Sequence, residues 1–199
     1  MPPSRTQKLK LSQQKKYCNK HGYDFISNEK SLAPEYHPAW SKILYLQKYL
    51  SEYDWVVWTD ADTYVINSEV KLESFMENSK DMVIQCDYEQ KNIWADPYVG
   101  INSGVIFVKN SLTSCGILEN WWNTRSLPMC QSPNNDQWDQ LGLKIVIGNR
   151  GEKYEREIKT ILDHKTGFNV VPEFVNKYTF ITHNRRGHRD FERKRGLIY

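Results

Sequence analysis

The chain's 199 residues suffice for one domain with a single buried core, taken here as residues 1–199, and its 39% hydrophobic and 26% charged residues are those of an ordinary soluble protein. A net charge of +3 is too small to argue for nucleic acid as partner. There is no run of about 18 apolar residues and no signal-peptide stretch at the start, so nothing in these residues spans or crosses a membrane unaided, and an excised lumenal domain would look the same. Cys18, Cys86, Cys115 and Cys130 show no CxxC spacing and no histidines at zinc-ligand distances, which argues against a structural zinc site.

The first predicted element is a polar helix over Lys8 to Lys20, stopped by His21-Gly22 and followed by a short extended piece at Tyr23 to Ile26. After a loop with Pro34 and Pro38, the apolar residues Trp40, Ile43, Leu46, Leu50 and Tyr53 trace one face of a second helix. Trp55 to Thr59 is a continuous β-branched and aromatic run, the pattern of a strand buried on both faces of a parallel sheet. A further helix is expected from Ser68, with Leu72, Phe75 and Met76 inward, then a strand at Met82 to Cys86. Gly104 to Val108 reads as another strand, preceded by an Asn-Ser-Gly turn. Ser111 to Trp122 reads as a helix, Ser132-Pro133 as the opening of the next, and Thr179 to Thr182 as a late short strand. Alternating helices and strands give an α/β class with a mainly parallel sheet flanked by helices.

Chemistry concentrates just past the apolar run, at Asp60 and Asp62. Two carboxylates one residue apart raise each other's pKa, and a divalent metal resolves that conflict. Oxygen ligands suit Mg²⁺ or Mn²⁺, ions that commonly bridge carboxylates to a diphosphate, and the carboxyl end of a strand is where ligands sit in open α/β sheets. A second chemistry fits the same residues: Thr59-Asp-Ala-Asp-Thr-Tyr-Val65 looks like the Asp-x-Asp motif of haloacid-dehalogenase phosphatases, with Asp60 as nucleophile and Asp62 as acid/base. Against it, that motif normally belongs to the first strand, and Asn135 to Asp139, the one candidate for the later acidic motif, follows no apolar strand. The basic end, His183-Asn-Arg-Arg-Gly-His-Arg189 and Arg193 to Arg195, suits either a solvated tail or an anionic ligand.

Six segments in order resemble glycosyltransferase family 34, the galactosyl/mannosyl/xylosyltransferase family that contains fungal Golgi mannosyltransferases and plant xyloglucan xylosyltransferases. They are Tyr17-Cys-Asn-Lys-His-Gly-Tyr-Asp24, His37-Pro-Ala-Trp-Ser-Lys42, Trp58-Thr-Asp-Ala-Asp62, Gly100-Ile-Asn-Ser-Gly104, Asn134-Asn-Asp-Gln137 and Thr182-His183. The resemblance implies a GT-A-like fold and a retaining transferase that moves a hexose or pentose from a UDP- or GDP-sugar to a glycan or other hydroxyl acceptor. It implies that Asp60 and Asp62 hold Mn²⁺ or Mg²⁺ with His183 as third ligand, the imidazole nitrogen favouring manganese. Lys42 and one or more of Arg185, Arg186 and Arg189 then neutralise the diphosphate. Gly187 stands one residue later than in the family's usual His-Phe-x-Gly, which leaves open which arginine does so.

Asn102, Ser103 and Gly104 are expected beside the donor sugar, with Asn102 hydrogen-bonding its hydroxyls and Gly104 letting backbone approach. Asp136 and Gln137 are expected to stabilise and orient the sugar at its anomeric carbon, in a front-face attack that needs no covalent nucleophile; the metal and basic residues stabilise charge on the leaving diphosphate. Trp94, Trp121 and Trp122 offer stacking surfaces to an acceptor, core packing being the expected fate of at least one of the adjacent pair. Relatives of this type begin with a strand that helps hold the nucleotide base, whereas this chain opens in what reads as the following helix. A truncated Golgi-lumenal fragment, a substitute element, and a non-catalytic sugar-binding subunit are the three readings this leaves open.

Overall fold

In a computed structural model of the chain we describe residues 5–27, 30–86, 100–132, 137–150, 156–161 and 167–184. Helix α1 runs Arg5–His21 and ends on Gly22, whose φ of 76° is the left-handed conformation that glycine adopts without a Cβ penalty. The expected strand at Tyr23 to Ile26 joins no ladder: Tyr23 is instead fixed by its amide to the Cys18 carbonyl (2.9 Å) and its hydroxyl to Glu73 (2.5 Å). A 3-10 turn at Pro38–Trp40 opens α2, Ser41–Leu50, which ends before Tyr53.

Strand β1 is Trp55–Thr59, β2 Thr63–Val65, β3 Met82–Cys86 and β4 Ile101–Lys109. Helix α3 is Leu112–Asn123, with Ser111 as N-cap accepting the Ser114 amide; α4 is Pro128–Gln131 and α5 Trp138–Arg150. Strands β5, Ile158–Ile161, and β6, Ile181–His183, complete the described elements. The helix expected from Ser68 is only a 3-10 turn at Leu72–Ser74. The chain around that turn is committed to tertiary bonds, the Val70 carbonyl accepting from the Tyr17 hydroxyl (2.8 Å) and the Leu72 amide donating to the Tyr23 hydroxyl (3.2 Å), groups that an α-helix would claim for itself.

The main sheet has the order β1-β4-β3-β5 and β2 pairs separately with β6. Strands β1, β3 and β5 point one way and β4 runs against both neighbours, so the sheet is mixed: the β3-β5 ladder is parallel and the two that β4 makes are antiparallel. The residues Asn102 to Gly104, expected in a turn, lie inside β4.

Alternation along the strands sorts side chains onto two faces. Ile84, Ile106 and Val108 pack with Ile43, Leu46 and Leu50 of α2, Trp121 of α3 and Leu143 of α5. Val83, Val105 and Phe107 pack on the other face with Tyr17 of α1, Phe168 and Phe180. Strand β1 contributes Val56 and Trp58 to one face and Trp55 and Val57 to the other, yet every residue in it is only half-buried, because its one ladder partner among the described residues is β4. Among the described residues it is therefore an edge strand and not the fully enclosed one its composition suggests. No helix among the described residues is long and apolar enough to cross a membrane.

Candidate metal centre

The two carboxylates stand on a tight connection between β1 and β2. The Asp60 amide donates to the Gly104 carbonyl (2.7 Å), carrying the β1-β4 pairing one residue past the strand, while Thr63 returns its amide (3.2 Å) and hydroxyl (2.8 Å) to the Asp60 carbonyl. The chain then pairs with β6 in the register Thr63 opposite His183, and the Asn184 amide donates to the Asp62 carbonyl (3.0 Å). Register alone thus brings a histidine from the far end of the sequence to the acidic pair.

One ligand atom each from Asp60, Asp62 and His183 lies within 4.8 Å of the others. His183 Nε2 is 3.0 Å from Asp62 Oδ1 and 3.9 Å from Asp60 Oδ2. Burial alone pushes the Asp62 carboxyl up, but the hydrogen bond and charge of His183, with Lys10 adding to them, hold it below the usual carboxylate range. The imidazole is 5% exposed, and its other nitrogen, Nδ1, lies 3.0 Å from Asn169 Oδ1. Asn169 gives its amide nitrogen to the Asn102 carbonyl (3.3 Å), which can only accept, so its oxygen faces the ring and Nδ1 carries the proton. Nε2 is therefore the nitrogen turned toward the carboxylates, 3.0 Å from Asp62, with the opposite nitrogen anchored as it is behind metal-ligating histidines. Two carboxylates on the β1-β2 connection and one imidazole on β6 fit a divalent cation such as Mn²⁺ or Mg²⁺.

The neighbouring backbone is shaped around this ring. A Cβ on Gly104 would run into His183 Cε1 and Nδ1, so the absence of a side chain there makes room for the imidazole. Asn169 is itself held through the Gln85 side chain, whose Oε1 accepts the Phe168 (2.8 Å) and Asn169 (3.0 Å) amides. Gly167, beside that carboxamide with φ of 103°, permits the close approach.

Behind Asp60 lies a charged cluster. The Lys42 ammonium is 3.2 Å from Asp60 Oδ1 and 2.9 Å from Asp139 Oδ2, and donates to the Ser103 carbonyl at 2.8 Å. Ser103 passes its hydroxyl to Asp139 (2.9 Å) and its amide to Gln140 Oε1 (3.0 Å). Burial tends to strip Lys42 of its proton, but Asp139 and Asp60 outweigh it and push the amine above its usual range, so it is an ammonium at neutral pH. Burial also pushes the Asp139 carboxyl up, more than Lys42 and Ser103 draw it down. Asp60 receives a further bond at Oδ1, from Trp58 Nε1 (2.6 Å).

The remaining residues singled out in the sequence fall as follows. Asn102 is buried inside β4 and its Oδ1 accepts the Gly104 amide (2.8 Å). Gln137 directly precedes α5 and its Oε1 accepts a bond from Lys144 (2.8 Å). Asp136, Arg185, Arg186, Arg189 and Trp94 lie outside the described residues. Trp121 is fully buried with its indole donating to the Asp139 carbonyl (2.6 Å), so it belongs to the core, while Trp122 is partly buried beneath the Arg125 guanidinium.

Asp139 entered the sequence reading only as the end of the acidic run weighed for the phosphatase, and Asn169 not at all. Asp139 stands on the inward stripe of α5 with Leu143 and Val146, all buried, and a carboxylate interrupting an apolar stripe was the available signal. Asn169 lies between elements, and no local pattern marks it.

The fold and several of its relatives are known. A solved structure of a glycosyltransferase involved in the glycosylation of the major capsid of PBCV-1 superposes with a TM-score of 0.72 over 99% of this chain and 95% of that one, at 20% identity, a likeness of fold alone. Galactomannan galactosyltransferase 1 of Cyamopsis tetragonoloba is 25% identical over 62% of this chain and 28% of its own length. An uncharacterized alpha-1,2-galactosyltransferase of Schizosaccharomyces pombe is 23% identical over 64% of this chain and 42% of its own. The chain thus spans less than half the length of these curated relatives. The family model for the galactosyl transferase GMA12/MNN10 family matches residues 4–192, nearly the whole chain, and the chain belongs to that family.

Proposed function

We propose that this protein is a metal-dependent retaining glycosyltransferase, taking a hexose or pentose from a UDP- or GDP-sugar and passing it to a hydroxyl of a glycan or other acceptor. The observation that carries the proposal is the convergence of Asp60 and Asp62, from the first third of the sequence, with His183 from near its end, whose Nε2 faces both carboxylates. Family membership supports glycosyl transfer and leaves the phosphatase alternative without ground.

In this proposal Asp60, Asp62 and His183 hold Mn²⁺ or Mg²⁺, which when bound supplies positive charge to the diphosphate as it leaves. Arg185, Arg186 and Arg189, which follow His183 in sequence, add to that charge. Asp136 and Gln137 orient the sugar and steady its developing positive charge, and Asn102, Ser103 and Gly104 shape the floor beneath it. Lys42, almost fully enclosed, contributes through Asp60 more than by direct contact with phosphate.

Thermal unfolding of the protein with UDP or GDP and Mn²⁺ tests the proposal. At about a hundred times its dissociation constant, a nucleotide that binds the folded state stabilises it by about 2.7 kcal/mol, which raises Tm by roughly 5–10 °C for a chain of this size. The rise is expected with Mn²⁺ present and not with EDTA. No rise with either nucleotide in Mn²⁺ would favour the non-catalytic alternative, and a panel of UDP- and GDP-sugars assayed for hydrolysis then identifies the donor.

A further inference from the structure

Lys42 and a divalent cation would compete for one carboxylate. The ammonium stands 3.2 Å from Asp60 Oδ1, on an oxygen that the cation site needs either directly or through the carboxylate's remaining charge. Left with Asp60 as its one anionic partner, a buried ammonium would close onto it, since an unpaired charge in such surroundings is costly. Asp139 shares the ammonium with Asp60. Its Oδ2 lies closer to the ammonium, at 2.9 Å, on the side occupied by α5, and the Ser103 carbonyl and hydroxyl complete a seat that draws Nζ toward β4 and α5. Ser103 in turn fixes the carboxylate by donating its hydroxyl to the same Oδ2. Asp139 is 5% exposed and Lys42 3%, so bulk solvent does not screen the contest.

We propose that Asp139 is a positioning residue that shares the Lys42 ammonium with Asp60, keeps it from pairing with Asp60 alone, and so leaves that carboxylate available to the divalent cation. The inference rests on the cation site proposed above, and Asp139 acts on that site through Lys42. It makes three linked expectations about Mn²⁺ affinity, separate from catalysis. Asp139→Asn binds Mn²⁺ at least about tenfold more weakly than wild type, the size of effect usual for residues that orient metal ligands. Lys42→Met, which removes the competitor, binds Mn²⁺ more tightly than wild type. The double variant binds like Lys42→Met, because Asp139 has no ammonium left to restrain.

The experiment is titration of Mn²⁺ into the full chain, followed by electron paramagnetic resonance, with circular dichroism melts on the same samples. An equal loss from Asp139→Asn in the wild-type and Lys42→Met backgrounds would mark a merely structural role and overturn the inference, as would unchanged affinity in Asp139→Asn. Should Asp139→Asn fail to fold, Lys42→Met decides alone: unchanged or weaker Mn²⁺ binding overturns the inference. Wild type that binds no Mn²⁺ would sink the cation site itself and the inference with it. Wild type that binds while the variants ignore the expected order would sink only the role given to Asp139.

Discussion

Asp62→Asn is expected to lower Mn²⁺ affinity by on the order of a hundredfold or more and to reduce kcat/KM for glycosyl transfer by roughly a thousandfold, about 4 kcal/mol of transition-state stabilisation. The reason is charge more than shape. Asparagine preserves the outline of the side chain, but it replaces a carboxylate that His183 holds below its usual pKa, and therefore ionised at neutral pH, with a neutral amide. The substitution leaves the backbone bond from Asn184 to the Asp62 carbonyl and the register between β2 and β6 in place. Because the Asp62 side chain is 38% exposed, the fold loses little, and the melting temperature is expected to stay within a few degrees of wild type. Calorimetric titration of Mn²⁺ with steady-state assay of the same preparation checks both halves, and full transfer activity without detectable metal binding would contradict the role given to this residue.

The second large effect is expected from Gly104→Ala. An alanine Cβ at this position would overlap the His183 ring and sit 3.0 Å from Asn102 Oδ1. The ring has nowhere to retreat: its backbone is pinned by the pairing with Thr63 and by the His183 amide to the Val170 carbonyl (2.9 Å), and swinging the imidazole aside breaks its contact with Asn169. Overpacking of this kind costs about 1–3 kcal/mol, a fall in Tm of roughly 2–12 °C, and Mn²⁺ affinity is expected to drop about tenfold or more as the ligand is displaced. Gly116→Ala is the matched control. Gly116 lies inside α3 with open space where a Cβ would go, so the same change there is expected to stabilise by about 0.5–1 kcal/mol. Equal stability and metal binding in Gly104→Ala and wild type would show that the histidine does not depend on this cradle.

The sequence was legible where one residue type repeats along one element. The apolar runs at Trp55 to Thr59, Met82 to Cys86 and Gly104 to Val108 are strands, and Ser111 does cap the helix that follows it. It was misleading where a local pattern met a tertiary competitor. Ser68 to Met76 has a helical apolar spacing, yet its backbone bonds to the Tyr17 and Tyr23 hydroxyls instead, and Val70, Phe75 and Met76 reach the same core from irregular chain. The short strands Thr63–Val65 and Ile158–Ile161 carry too few residues for alternation to show.

At the site, Asp60 and Asp62 announce themselves because a charged doublet after an apolar strand needs a partner. The partnership with His183 was inferred from resemblance, and the register of β2 against β6 is what brings the three side chains together. Lys42 was expected to face phosphate, but the observed ammonium is enclosed between Asp60 and Asp139. No spacing rule could have joined residue 42 to residue 139, since their contact depends on α2 and α5 packing against the same sheet face.

The most direct measurement is anomalous scattering at the manganese edge from crystals of the protein grown with Mn²⁺. The account predicts one strong peak lying between about 2.0 and 2.6 Å from Asp62, Asp60 and His183 Nε2. A peak at some other place in the molecule, with those three side chains empty-handed at saturating Mn²⁺, would contradict it.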